Sequence, residues 1–253
     1  MIDGSDALLT FALAGLGLIV GSFAGLVSVR LPLGEGIVGG RSRCRGCGRA
    51  LAPWNLVPIV SYVAARGRCA GCGERISIRY PLIELACAAT GVWAAVSQPT
   101  WMAAAFTALL GWQLLLIAVV DAEHQWLPDR LTLPLLATGL VAAVFLPLPT
   151  LRDNLIGAAA GFASLWILSR AYRRLRGREG LGGGDPYLLA AIGAWTGWIG
   201  LPSVLLWAST AGLSLVVARR RTGRTVSASD RLPFGVFLGI GGWLTWLVGP
   251  IGL

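Results

Sequence analysis

Eight apolar stretches divide the chain, at roughly 7–29, 82–97, 101–120, 131–147, 154–170, 186–200, 203–218 and 233–250. A bilayer core of about 30 Å is crossed by an α-helix of about 20 apolar residues. The first and third stretches reach that length directly. Several others hold only 15–17 residues and must extend into flanking polar positions. Between the first and second stretches lies the one long hydrophilic segment, 30–79, the only part able to form a small module outside the membrane. The expected fold class is therefore all-α: a polytopic transmembrane bundle of about eight helices with a small extramembrane loop module. The expected divisions are a first transmembrane helix at 1–29, the loop module at 30–79 and a membrane core at 80–253. Many of the 35 glycines fall inside the apolar stretches. In lipid that placement implies close helix–helix packing.

Composition agrees. Mean hydropathy is +0.71. Charged residues make up 13% of the chain, against about 25% in soluble domains. Net charge is +9, and every basic side chain apart from the single His124 is arginine. A basic chain invites a nucleic-acid reading, but the placement of the arginines argues against it. Nine lie in 30–79, one at Arg130, five in 170–178 and five in 219–231. If eight helices alternate, all of these share one face and only Arg152 is opposite. The positive-inside rule makes the shared face cytoplasmic and puts both termini on the outer side of the membrane. The basic loops would then lie against anionic lipid. No basic residue precedes Arg30 and the first apolar run is long enough to span, so no cleavable signal peptide is expected.

The loop module carries four of the five cysteines, spaced Cys44-x2-Cys47-x21-Cys69-x2-Cys72, and each pair reads Cys-x-Gly-Cys-Gly. The glycines let each turn fold back so that backbone amides face the sulfurs. Two such turns supply four thiolates to one tetrahedral zinc. Two disulfides are the rival reading, but they need an oxidising compartment. Four cysteines also complete the shell, so the expected zinc is structural and has no open position for substrate. Cys87, inside the second apolar stretch, is read as a packing residue.

Two further residues carry candidate chemistry. Asp121 ends the run Leu114-Leu115-Leu116-Ile117-Ala118-Val119-Val120, and Asp185 follows Gly182-Gly183-Gly184 just before the sixth stretch. Alternation brings both to the cytoplasmic face. An Asp at mid-membrane costs about 2.5–3.5 kcal/mol on insertion scales, so such groups mark function. Asp185 before Pro186 also fits a helix N-cap, as does Asp129 after Pro128. Asp121 is different, because a helix C-terminal end disfavours negative charge. Two carboxyls brought close share a proton: one acts as general base on a water while the other donates to a scissile carbonyl. The absence of lysine excludes Lys-dependent nucleophile schemes, and the lone His124 argues against a Ser/His/Asp site. A transporter pathway would call for an ionisable residue at mid-span.

These residues resemble one known family, the type IV prepilin leader peptidases, which are polytopic membrane aspartyl proteases with a Gly-x-Gly-Asp motif. The resemblance rests on Gly21-Ser22-Phe23 through Arg30-Leu31-Pro32, both cysteine pairs with Arg66-Gly67-Arg68 before the second, Arg79-Tyr80-Pro81-Leu82-Ile83-Glu84, Asp121 through Leu127-Pro128-Asp129, and Gly182 through Asp185. It implies that Asp121 and Asp185 are the catalytic pair, with Gly182 and Gly184 as supporting motif. It implies as substrate the N-terminal helix of a type IV prepilin or a type II secretion pseudopilin, cut after a short basic leader. It further implies N-methylation of the new N-terminal residue with S-adenosylmethionine. The chain departs from the family pattern twice. Tyr187 stands where Gly-x-Gly-Asp-x-Lys has its lysine, and Gly25 stands where an asparagine is usual. The missing lysine supports an alternative, a catalytically inactive scaffold that binds pilin helices.

Overall fold

The computed structural model describes residues 4–147, 149–178, 180–222 and 232–252. It is all-helical: α1 (Gly4–Arg30), α2 (Val60–Ala64), α3 (Arg79–Ser97), α4 (Trp101–His124), α5 (Asp129–Phe145), α6 (Leu151–Arg176), α7 (Asp185–Arg221) and α8 (Phe234–Val248). Five of these, α1, α3, α4, α6 and α7, are long and apolar enough to cross a membrane, and α8 is a shorter apolar helix. The total of eight agrees with the expectation, but the membership differs. α2 is a five-residue helix inside the hydrophilic loop, and the stretches at 186–200 and 203–218 share one continuous helical assignment, α7.

α7 is nevertheless not a single rod. Gly197 has φ +68° and ψ 174°, a backbone region open essentially to glycine alone. Contacts with α8 show what the break does. Before it, Ile192 lies against Gly242 and Trp195 against Trp246, so α7 and α8 run in the same direction. After it, the Ser203 hydroxyl accepts from the Ile251 amide at 2.8 Å, while Gly212 lies against Phe237. Those pairings run the opposite way. The chain therefore doubles back between Gly197 and Ser203, and the two expected stretches are antiparallel arms. Pro202, the obvious breaker in the sequence, sits in the turn, but the reversal is made by the glycine.

The chain forms two compact units that divide within α4, between Trp112 and Gln113. In the first, α1 packs antiparallel on α3 through glycines. A Cβ at Gly21 would stand 2.6 Å from the Glu84 Cα, and one at Gly25 would stand 3.0 Å from the Tyr80 ring. Substitution is excluded at the first position by backbone, which is how small residues let apolar helices approach in lipid. Trp112 closes the same unit by donating its indole N–H to the Cys87 carbonyl at 2.8 Å. The buried Glu84 accepts from the Ile59 amide at 2.7 Å. Ile59 has φ +61° and ψ −52°, and the Val60 amide bonds the Pro58 carbonyl at 2.5 Å. Together these make a strained γ-turn around a β-branched residue, and the Glu84 carboxylate ties it to α3.

In the second unit α5, α6 and α8 pack on α7. Gly161 of α6 lies so close to α7 that a Cβ would stand 2.6 Å from the Leu189 carbonyl oxygen. Trp195, almost fully buried, donates to the Leu135 carbonyl of α5 at 2.8 Å. α6 begins with a Thr150 cap on the Asp153 amide and ends at Gly177 in the left-handed conformation, with Arg173, Arg174 and Arg176 in its last turn. That is the charge order the helix dipole favours. The end of α4, the starts of α5, α7 and α8, and the end of α6 meet at one pole of this unit.

Candidate active site and cysteine cluster

Both aspartates lie at that pole, and both are buried: Asp121 is 5% exposed and Asp185 3%. α4 runs to His124, four residues beyond the expected end of the third stretch, and Gln125 then turns left-handed at φ +50°. Asp121 is thus in the last turn of α4, where its own helix disfavours a negative charge. The compensation comes from elsewhere. Its carboxylate accepts from the backbone amides of Gly235 and Val236, the latter at 3.0 Å. These amides belong to the first turn of α8, among the donors that a helix N-terminus leaves without internal partners. Asp121 therefore caps a helix 115 positions further along the chain.

Asp185 opens α7. Gly184 is the N-cap and Asp185 the first helical residue, with no side-chain cap on the helix's own amides. Its Oδ2 instead turns back to accept from the Gly182 amide at 2.8 Å. The same shift applies to Asp129: Pro128 holds the N-cap position of α5 and Asp129 is the first helical residue, so the expected Asp129 cap is not formed.

One residue joins the two turns. A Cβ at Gly184 would stand 2.5 Å from the Leu127 Cβ and 2.6 Å from its carbonyl oxygen. A Cβ at Gly235 would stand 2.9 Å from Leu127 Cδ1 and 2.8 Å from Asp121 Oδ2. Leu127 thus touches the glycine turn of Asp185 on one side and the α8 turn holding Asp121 on the other. The two buried carboxyls are thus linked through Leu127, which contacts the turn that carries each of them. Gly184 and Gly235 serve close approach; Gly182 donates to the carboxylate. The α8 turn and Leu127's bridging contacts were not derivable from the residues alone. Gly235 reads in sequence as one more packing glycine.

Tyr187, at the position of the family's lysine, stacks edge-on against Phe162 of α6, with ring centroids 5.1 Å apart. Residues two apart on a helix do not face each other. The Tyr187 ring is therefore directed to α6. His124 ends α4, exposed, 3.9 Å from Glu123, and takes no part in the site.

In the loop module, the four sulfurs of Cys44, Cys47, Cys69 and Cys72 all lie within 4.8 Å of one another. The two turns that carry them are built alike. The Cys44 amide bonds the Arg49 carbonyl and the Gly48 amide bonds Cys44; the Cys69 amide bonds Glu74 and the Gly73 amide bonds Cys69. Gly48 and Gly73 both need positive φ, +70° and +73°. The Cys44 and Cys72 sulfurs are 3.7 Å apart, well beyond a disulfide bond of about 2.05 Å. The Gly71 and Cys72 amides together with the Cys44 thiol bring the Cys69 thiol down to about 6. The Glu74 amide pulls Cys72 the same way, but desolvation and the neighbouring thiols hold it up at about 12. Four crowded sulfurs cannot all ionise without a cation among them, and the arrangement is one able to hold a metal ion. Cys87 is buried in α3, apart from this cluster, as a packing residue would be.

Comparison with known proteins gives the family. Residues 16–98 match the bacterial Peptidase A24 N-terminal domain, and residues 108–217 match the type IV leader peptidase family. A Pseudomonas aeruginosa protein named prepilin leader peptidase/N-methyltransferase is 40% identical over 258 residues, covering 92% of this chain and 88% of that protein. One of the same name from Burkholderia pseudomallei (strain K96243) is 40% identical over 267 residues, covering 95% and 85%. A third, from Dichelobacter nodosus, is 40% identical over 208 residues, covering 82% and 71%. No solved structure matches the chain. The motifs, the paired buried aspartates and this likeness along nearly the whole length converge: the chain belongs to the type IV leader peptidase family.

Proposed function

We propose that the chain is a multi-pass inner-membrane aspartyl endopeptidase. It removes the short basic leader of type IV prepilins or type II secretion pseudopilins, and Asp121 and Asp185 are its catalytic pair. The observation that carries this reading is a pair of buried carboxyls from separate stretches of chain, joined through Leu127. The reaction is hydrolysis by a water held between them. One carboxylate takes a proton from the water, whose oxygen attacks the scissile carbonyl, while the other carboxyl gives its proton to the carbonyl oxygen. Collapse of the resulting diol passes a proton to the leaving amine and restores the pair. The substrate's apolar N-terminal helix would lie among lipid beside α7, with the cut on the cytoplasmic side and both termini of the enzyme on the periplasmic side. The arginine distribution supports that orientation. Residues 30–79 would form the cytoplasmic module and 80–253 the protease core.

The four cysteines would hold a structural Zn2+. At Zn–S distances of about 2.3 Å, tetrahedral sulfurs stand roughly 3.8 Å apart, and the Cys44–Cys72 separation of 3.7 Å fits. When bound, the ion would fix the two turns and neutralise the thiolates. N-methylation of the new N-terminal residue, with S-adenosylmethionine supplying the methyl group, is supported by the names of the relatives. The described residues contain no glycine-rich nucleotide-binding loop outside Gly182–Gly184, so no side chain is assigned to that step.

Co-expression with a prepilin tests the reading. Asp121→Ala and Asp185→Ala should each leave full-length precursor. Processing by both variants would sink the peptidase assignment, and an unmethylated mature N-terminus, read by mass spectrometry, would remove the methyl step alone.

A further inference from the structure

We propose that the first turn of α8 belongs to the active site and divides the labour of the pair: its amides hold Asp121 as the anionic base, while Asp185 carries the shared proton. This rests on the peptidase reading above and goes beyond it, because α8 (Phe234–Val248) lies outside the 108–217 family match. Three observations carry the inference. Asp121 accepts from two amides, Gly235 and Val236, at the positive end of a 15-residue helix. Asp185 also begins a helix, but its oxygen turns away to a single amide, Gly182, at 2.8 Å. Finally, Gly235 leaves no room for a side chain, since a Cβ would stand 2.8 Å from Asp121 Oδ2 and 2.9 Å from Leu127.

More amide donors on one carboxyl favour its charged form over that of its partner. Asp121 then takes the proton from water as the oxygen–carbon bond forms, and Asp185 gives its proton to the carbonyl oxygen. When the carbon–nitrogen bond breaks, Asp121 returns its proton to the leaving amine and Asp185 recovers one from the diol. Gly235 is a positioning residue that acts through Asp121.

Two measurements test the inference on the purified full-length protein. A small epoxide esterifies ionised carboxyls, and a diazoacetyl reagent with copper(II) esterifies protonated ones. Peptide mapping should find the epoxide on Asp121 and the diazo label on Asp185; reversed labels, or one residue taking both, overturn the inference. Second, Gly235→Ala should lower kcat for prepilin cleavage by about 10- to 100-fold and reduce epoxide labelling of Asp121, with KM within about twofold. Gly239→Ala, where a new Cβ meets only the Leu114 carbonyl oxygen at 3.9 Å, should cleave like wild type. Wild-type kcat in Gly235→Ala while Asp121→Ala is dead would sink the role of α8 and leave the peptidase reading standing. Misfolding of Gly235→Ala would leave the labelling of the wild-type protein to decide.

Discussion

Asp121 has two separable jobs, and a pair of substitutions pulls them apart. In Asp121→Ala the amides of Gly235 and Val236 lose their acceptor in a site where Asp121 is only 5% exposed. A buried donor left unmade costs about 1–3 kcal/mol, and loss of a capping side chain costs about 0.5–2 kcal/mol. Relief from burying a carboxylate offsets part of this, so a net loss of about 1–2 kcal/mol is expected. For a chain of this size each kcal/mol moves the unfolding midpoint by about 2–4 °C. Asp121→Asn keeps an oxygen for the amides and should lose about half as much or less. Activity should not follow stability. A general base contributes about 10²–10⁴-fold, and both variants lose it. The assay pairs thermal unfolding in detergent, followed by tryptophan fluorescence, with gel-resolved prepilin cleavage. Cleavage by Asp121→Asn within about tenfold of wild type would refute the base. An unchanged midpoint in Asp121→Ala would refute the tie to α8.

Two more outcomes follow from packing and from the cysteine cluster. Cys69→Ala, or exhaustive chelation, should strip bound zinc and open residues 40–75 to protease; metal analysis that finds no zinc in the untreated protein would end that expectation. Gly161→Ala forces a Cβ to 2.6 Å from the Leu189 carbonyl oxygen, an overpacking worth about 1–3 kcal/mol. Gly15→Ala meets nothing within 4 Å and should be neutral or gain up to about 1 kcal/mol from helix propensity. Equal midpoints for the two would contradict the close approach of α6 and α7.

Local signals in the sequence were read well where one segment suffices to define the feature. The apolar stretches become helices because length and hydropathy fix them. The cysteine turns form because each Cys-x-Gly-Cys-Gly carries its own positive-φ glycine. Asp121 stood out because its charge is wrong for the end of α4. What resolved that misfit was invisible, since the amides of Gly235 and Val236 come from a helix far along the chain and carry no side-chain signature. The γ-turn at Ile59 was hidden for the same reason: its partner, Glu84, sits on another helix. Asp129 and Asp185 moved one place inward from the expected caps because the preceding Pro128 and Gly184 already hold the cap positions.

The reversal at Gly197 also settles a matter of parity. A straight helix of 37 residues would be about 55 Å long, far more than a bilayer core of about 30 Å, and would deliver the chain to the leaflet opposite its start. Because one glycine sends α7 home, α7 ends at the leaflet where it began, the one where Asp121 waits. Had the crossings numbered one fewer, the α8 amides would lie a membrane's thickness from the carboxylate they now hold.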